Sequence, residues 1–390
     1  MIRLRGLGHG LVIAVLALSF AGAGAGVAAA QEATPASTPV ICDASLSFET
    51  SATDTTVGKN PRSLAVADLN GDGLVDIVAT NLDDNSISIL FGNGDGTFAD
   101  GDSIMVGSQP YMVIAADLDG DGDLDLATAN FGEASISVML NEGAGQYGAV
   151  TSYAVGESPR ALVAGDLNGD GLVDLATADF KSSTVTILLG AGDGAFLPGA
   201  TLETGPQPHG IAVADLDGDG DLDLATASVS NAGVTMLSND GTGAFTATNY
   251  AAASKLYAIT AVDMNGDGLD DLVTLSNETG ELDVLLATGD GGLAPAVSYA
   301  IGTKTVAVTV ADATGDGIPD VLVSNFRADS VSLLVGAGDG TLSAATDIPA
   351  GSGTYDTAIA DMTGDGVPDL TVVSSSANAI SVYAGTCNTG

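Results

Sequence analysis

Seven times along the chain an aspartate opens a stretch of nine residues that closes on a second aspartate, with more oxygen-bearing side chains between. The stretches read DLNGDGLVD from Asp68, DLDGDGDLD from Asp117, DLNGDGLVD from Asp166 and DLDGDGDLD from Asp215. Then come DMNGDGLDD from Asp263, DATGDGIPD from Asp312 and DMTGDGVPD from Asp361. Each has acids at positions 1, 5 and 9, an oxygen donor at position 3 and glycine at positions 4 and 6. Calcium takes about six to eight hard oxygen ligands, and glycine at the sixth place permits the sharp turn that brings the next carbonyl inward. In the first loop the expected ligands are Asp68, Asn70, Asp72, the carbonyl of Leu74, and Asp76. The loop is no EF-hand: the position of that motif's closing glutamate holds Ala79, inside an apolar run, and helical flanks are missing. Asp and Gly also make tight, soluble turns without any metal. Turn chemistry does not require seven loops that each gather three carboxylates against mutual repulsion, so metal is the favoured reading.

The elements that must carry these loops follow from their spacing. The loops recur at intervals of 49, 49, 49, 48, 49 and 49 residues, a period that signals a solenoid, propeller or array. Around the first loop the chain reads SLAVAD, the acidic loop, VDIVAT, SISILFG, a Gly-rich turn and TFADGDSIMVG. Such short β-branched runs bounded by Gly, Asn and Asp predict four strands per unit, A to D, with the acidic loop joining A to B. Turns such as GNGDG suit hairpins that need positive φ. The fold class predicted is all-β: a seven-bladed β-propeller of four-stranded antiparallel blades, which leaves few exposed sheet edges.

The seventh unit supplies A at 355–360, B at 369–374 and C at 379–384, then ends without D. Residues 47–57, SFETSATDTTV, match the D pattern and precede the first A strand, so the N-terminal strand is expected to close the last blade. Cys387 falls in the place of the C to D hairpin, and Cys42 lies six residues before Phe48, the counterpart of Phe98 after a hairpin. A Cys42 to Cys387 disulfide is therefore expected in an exported chain, two unpaired thiols near the ends being the alternative. The loop-entropy argument gives such a bridge about 4 to 5 kcal/mol.

Acidic residues outnumber basic ones 50 to 9, for a net charge of −41. This disfavours nucleic acid, which is held mainly by Lys and Arg, and equally an anionic membrane surface. Arg3 and Arg5, the apolar run 11–20 and the small residues before Gln31 read as a signal peptide over 1–30, followed by a flexible leader over 31–41. Residues 42–390 form the propeller domain. No later stretch resembles a membrane span. A secreted or cell-surface monomer is expected, with no membrane insertion after cleavage.

In these loops and strands the chain resembles the FG-GAP or VCBS repeat family, which includes the propeller of integrin α subunits. The likeness covers about 42–390 and implies a seven-bladed propeller with calcium in the A to B loops of some blades. Carried over by position, it implicates Asp117, Asp119, Asp121, Asp123 and Asp125, then Asp166, Asn168, Asp170, Leu172 and Asp174. Asp215, Asp217, Asp219, Asp221 and Asp223 follow, then Asp263, Asn265, Asp267, Leu269 and Asp271. In the last two loops it implicates Asp312, Thr314, Asp316, Ile318 and Asp320, and Asp361, Thr363, Asp365, Val367 and Asp369. Up to seven calcium ions are implied, with weaker sites at 312–320 and 361–369 because Thr replaces Asp or Asn at position 3. Integrins carry the motif in fewer blades, so its presence in all seven is a departure.

Opposite the acidic loops, at the mouth of each A strand, stand Arg62, Tyr111, Arg160, His209, Tyr257, Val306 and Tyr355. Phe131, Phe180, Lys181, Phe326 and Arg327 join them from the B to C loops. Tyr and Arg concentrate binding energy at interfaces, so this metal-free face is the expected ligand site; the alternative is that the side chains plug the channel by packing on one another. The function expected is a non-catalytic recognition or adhesion module for an extracellular glycan or protein. A structural calcium protein or partner subunit ranks second, and a polysaccharide-active enzyme, a lyase with Tyr, Arg or His209 as base, third.

Overall fold

The computed structural model describes residues 46–230 and 232–387. The first acidic loop is flanked by strands Pro61–Ala67 and Asp76–Asn81, with Ser86–Gly92 and Phe98–Met105 completing one antiparallel sheet. Six further four-stranded sheets repeat this plan, giving a ring of seven blades. All seven B strands are buried along their whole length, whereas the D strand Thr151–Ala154 is mostly exposed. Neighbouring blades stack face to face, so strands near the axis lose both faces to the core and need not alternate; only the outer edge meets water. The core accordingly lies between blades: Met112, Leu162 and Ile211, from three successive A strands, belong to one buried cluster. Alanine recurs in the A and B strands, where the blades converge and space is narrowest.

The ring closes as expected, with one difference. Thr53–Thr56 pairs antiparallel with Ala379–Tyr383 and supplies the outer strand of the seventh blade, whose other strands are Thr354–Ala360 and Asp369–Ser374. The segment expected as one D strand over 47–57 is split, however. Leu46–Phe48 pairs separately with Gly385–Cys387, and residues 49–52 turn between the two pieces. This small ribbon occupies the place where the fifth blade has its own ribbon, Ala287–Thr288 against Gly292–Leu293. Across the seam the Leu64 amide donates to Oδ2 of Asp356 at 2.9 Å and the Asn60 amide to Oδ1 of Asn378 at 2.8 Å. Leu46 lies opposite Cys387, which is not a free cysteine. Cys42, the signal peptide over 1–30 and the leader over 31–41 lie outside the described residues.

Candidate metal loops and the opposite face

Each acidic loop is held by its own backbone. In the first, Oδ1 of Asp68 accepts the amides of Gly71 and Asp72 at 2.7 and 3.1 Å, and Oδ2 accepts that of Gly73 at 2.9 Å. Gly71 and Gly73 have φ of 75° and 85°, which a side chain resists. Oδ1 of Asn70 accepts the Asp72 amide at 2.8 Å, and Oδ1 of Asp72 the Leu74 amide at 2.8 Å. These Asx turns aim successive oxygens at the loop interior. The other loops repeat the pattern, with Asp117, Asp166, Asp215, Asp263, Asp312 and Asp361 in the role of Asp68.

The aspartate at position 9 has a second task that spacing alone did not reveal. Oδ1 of Asp76 accepts the Gly92 amide from the end of strand C at 2.8 Å, and Oδ2 accepts the Leu69 amide at 2.9 Å. Asp125, Asp174, Asp223, Asp271, Asp320 and Asp369 accept the equivalent amides of Asn141, Gly190, Asn239, Ala287, Gly336 and Gly385, each at 2.7 or 2.8 Å. These carboxylates are fully buried. Burial pushes Asp76, Asp125, Asp174, Asp271 and Asp320 up to about 6 and Asp223 up to about 7. The amide hydrogen bonds oppose the shift, and charge at neighbouring loop acids adds to it. A divalent cation would offset both the burial and the repulsion.

The donor sets fit calcium: hard oxygens only, converging without a protein cation. In the second and fourth loops, carboxylate oxygens of Asp117, Asp119 and Asp125, and of Asp215, Asp217 and Asp223, all lie within 4.8 Å of one another. Loops one, three and five bring an Asn amide oxygen to the same place, from Asn70, Asn168 and Asn265. In the sixth and seventh loops the position 3 amides of Thr314 and Thr363 turn instead to Asp320 and Asp369, both at 2.9 Å. The buried hydroxyls of Thr314 and Thr363 lie beside the carboxylates of Asp320 and Asp369 and oppose the upward push of burial on them. The position 7 residues expected as carbonyl ligands, Leu74, Asp123, Leu172, Asp221, Leu269, Ile318 and Val367, lie in these loops as placed by sequence. Asp121 and Asp219, expected as carboxylate ligands at position 5, instead accept the Asp123 and Asp221 amides and lie outside the two clusters of three carboxylates.

Sequence reasoning missed what covers the loops. The amide side chain of Asn141, from the second blade, reaches the Leu69 carbonyl in the first blade's loop at 2.9 Å and the Leu124 carbonyl at 3.2 Å. Asn239 does the same between the fourth and third blades, reaching Leu167 and Leu222 at 3.0 Å each. Backbone amides serve elsewhere: Gly96 donates to Met362 at 2.9 Å and Gly340 to Met264 at 3.1 Å. A C to D hairpin thus sits on the metal loop of the preceding blade. Half-buried Asp270, at position 8 of the fifth loop alone, was also missed; burial and the charges of Asp263 and Asp215 push it up to about 6.

On the opposite face the ring residues stand second in their A strands, at the end away from the acidic loops. The structure brings them together more tightly than an open ring. The Tyr111 hydroxyl meets those of Tyr355 at 2.5 Å and Tyr257 at 3.2 Å, and Nε2 of His209 at 3.5 Å. His209 stacks on Tyr257 with ring centroids 3.5 Å apart. Phe131 packs on Tyr111, Phe180 on His209 and Phe326 on Tyr355. The Arg62 guanidinium lies 4.2 Å over Tyr355, and that of Arg160 4.0 Å over Phe180 and 4.7 Å over Phe131. Val306 is buried beside them, while Lys181 and Arg327 stand exposed on the same face, outside these ring contacts.

The centre is therefore a self-packed plug with a small hollow of about 10 Å³, lined by Arg62, Tyr111, Arg160, His209, Val306 and Tyr355 among others. That is room for about one water-sized group. Burial, then the Arg160 charge, holds His209 well below the usual imidazole range, so its ring is neutral near pH 7. Burial likewise raises the Tyr111 and Tyr355 hydroxyls, which stay protonated.

Known proteins place this geometry. A solved structure on specific recognition of non-reducing terminal N-acetylglucosamine by an Agrocybe aegerita lectin is similar at 19% identity and TM-score 0.52, covering 83% of this chain and 95% of that one. Virginiamycin B lyase from Staphylococcus aureus is similar at 14% identity and TM-score 0.59, over 86% and 99%. BBS1N in complex with ARL6DN is similar at 12% identity and TM-score 0.62, over 86% and 96%. At such identities the likeness is one of fold. No curated protein matches the chain. FG-GAP-like repeats match residues 68–128, 117–177, 166–226, 263–323 and 312–372. With matches over more than half its length, and an acidic A to B loop in each of seven blades, the chain belongs to the FG-GAP-like repeat family.

Proposed function

We propose that this is an exported, calcium-stabilised propeller whose metal-free face recognises an extracellular glycan or protein without catalysing a reaction. The acidic loops hold calcium as a structural ion, through Asp68, Asn70, Asp72, Leu74 and Asp76 and their equivalents. The ion joins two strands of a blade, and the covering hairpin passes that order to the next blade. The observation that carries recognition is the concentration of Arg62, Arg160, three tyrosines and three phenylalanines at one mouth of the channel, in a chain with 4% aromatic residues. A lectin among the similar folds supports the same reading. The test is a glycan array probed with the protein in calcium and in chelator. Binding that requires calcium and is lost in Tyr257→Ala supports the proposal; silence across the array with an unchanged phenotype in that variant counts against it.

The tight mutual packing of Tyr111, Tyr257, Tyr355 and His209 favours a second reading, a structural propeller whose plug only seals the axis. The lyases among the similar folds keep a third, enzymatic reading in play. Loss of turnover of a polysaccharide in His209→Ala, with binding retained, would establish it.

A further inference from the structure

We infer that the hollow between Arg62 and Arg160 receives a carboxylate carried by an acidic saccharide. The inference deepens the recognition reading and rests on it. Every Lys and Arg after residue 5 lies on the metal-free face. Lys59, Lys255 and Lys304 stand in D to A turns, Lys181 and Arg327 in B to C loops, and Arg62 and Arg160 at the mouths of A strands. The acidic loops occupy the other face, so the molecule is electrically two-sided. The cationic face also carries acids: Asp83, Asp84, Glu133, Glu157, Glu278 and Asp329, in the loops around the rim. Two of these pair with rim lysines, Lys59 with Asp84 and Lys255 with Glu278, both at 3.7 Å.

The two axial arginines have no such partners. Among the described residues neither makes an ion pair, and Nε of each is buried without a hydrogen-bond acceptor. The nearby groups cannot serve. The tyrosine hydroxyls and His209 are engaged with one another. Asp356 accepts the Leu64 and Thr357 amides and, among the described residues, pairs with neither arginine. Two partly desolvated guanidiniums lining one hollow repel each other and leave strong donors unused, a cost that an anion removes. Lys181, Lys304 and Arg327 also lack an ion pair, but among the described cations only Arg62 and Arg160 have a buried donor without a partner. The hollow's size admits one carboxylate oxygen and excludes a sugar ring. The body of the ligand then stays outside, beside half-buried Phe131 and Phe180, whose ring faces already hold Arg160. The guanidinium fork matches a carboxylate, and flanking aromatic rings suit the apolar face of a pyranose.

The test is calorimetric titration of the full calcium-loaded protein with a short oligoglucuronate, its carboxyl-reduced counterpart and an oligoglutamate peptide. The expected result is binding of the oligoglucuronate that weakens at least about tenfold on carboxyl reduction and likewise in Arg62→Gln or Arg160→Gln. Arg62→Lys and Arg160→Lys keep the charge but lose the fork and the stacking, and are expected to weaken binding less than the Gln variants. Thermal melting identifies any variant that fails to fold, and the comparison of the two saccharides on the unmodified protein then decides alone. Equal binding of the carboxyl-reduced form overturns the inference and leaves recognition standing. Binding of neither saccharide overturns the inference, and the glycan array in calcium and in chelator then decides recognition separately. Oligoglutamate bound as tightly as oligoglucuronate overturns the saccharide assignment in favour of an acidic peptide.

Discussion

Replacing Asn141 with alanine isolates the contact by which one blade covers the metal loop of another. Asn141 is 2% exposed, and its side chain makes three hydrogen bonds: to the Leu69 carbonyl, to the Leu124 carbonyl and from the Gly143 amide. The Leu124 carbonyl keeps a second partner in the Tyr147 hydroxyl at 3.2 Å, so the Leu69 carbonyl bears the largest loss. A buried carbonyl stripped of its partner costs about 1 to 3 kcal/mol and each lesser bond about 1 kcal/mol or below, so Asn141→Ala should lose about 2 to 3 kcal/mol. The backbone bond from the Asn141 amide to Asp125 survives, which keeps the effect local. For a protein of this size the loss corresponds to a fall in Tm of roughly 3 to 4 °C, read by calorimetry in saturating calcium. Asn239→Ala should behave alike, and the double variant should be additive because the two residues serve different pairs of blades. A change below about 1 kcal/mol in both single variants would refute the reasoning, because such values are ordinary for surface positions.

Gly58→Ala should destabilise by about 1 to 3 kcal/mol, since the new Cβ would lie 2.5 Å from Cγ of buried Asn81; an unchanged urea midpoint would show that the turn yields freely. Burial pushes Asp356 up to about 8, against about 3.9 in an unfolded chain, so its contribution to stability is complete below pH 4 and is lost as pH rises through 8. Urea midpoints in calcium should therefore fall between pH 5 and about 8.5 more steeply in the native sequence than in Asp356→Asn, and equal slopes would refute the assignment. Reduction is expected to lower Tm if Cys42 and Cys387 are bridged as proposed, and intact mass under non-reducing conditions, with and without alkylation, tests the bridge directly.

The ring itself was legible because repetition exposes register. Seven copies of one loop at nearly constant spacing fix where each A strand ends and each B strand begins, and the shortage of one D strand pointed to residues 47–57, within which Thr53–Thr56 is the substitute. The staples were less legible, although a trace was present. Sixteen residues after each position 9 aspartate the chain has Gly92, Gly190, Gly336 and Gly385, Ala287 in the fifth blade, and Asn141 and Asn239 in the second and fourth blades, the two with Asp at position 3. That departure only gains meaning once the hairpin is seen against the neighbouring loop. The plug was half legible: sequence places Tyr111, Tyr257, Tyr355 and His209 around the axis, but whether rings meet across it depends on channel width and rotamers. That the buried Nε atoms of Arg62 and Arg160 lack a partner among the described residues is invisible along the chain, because spatial neighbours leave no signature in the order of residues.

The central claim is that calcium in the acidic loops holds the propeller together, and one calorimetric comparison tests it: the full chain melted in about 1 mM calcium and again in excess chelator. With a dissociation constant near 0.1 mM each occupied loop adds roughly 1.4 kcal/mol, so several loops together should raise Tm by roughly 10 °C or more. The same melting temperature in calcium and in chelator would contradict the account and leave the loops as turns built from Asp and Gly.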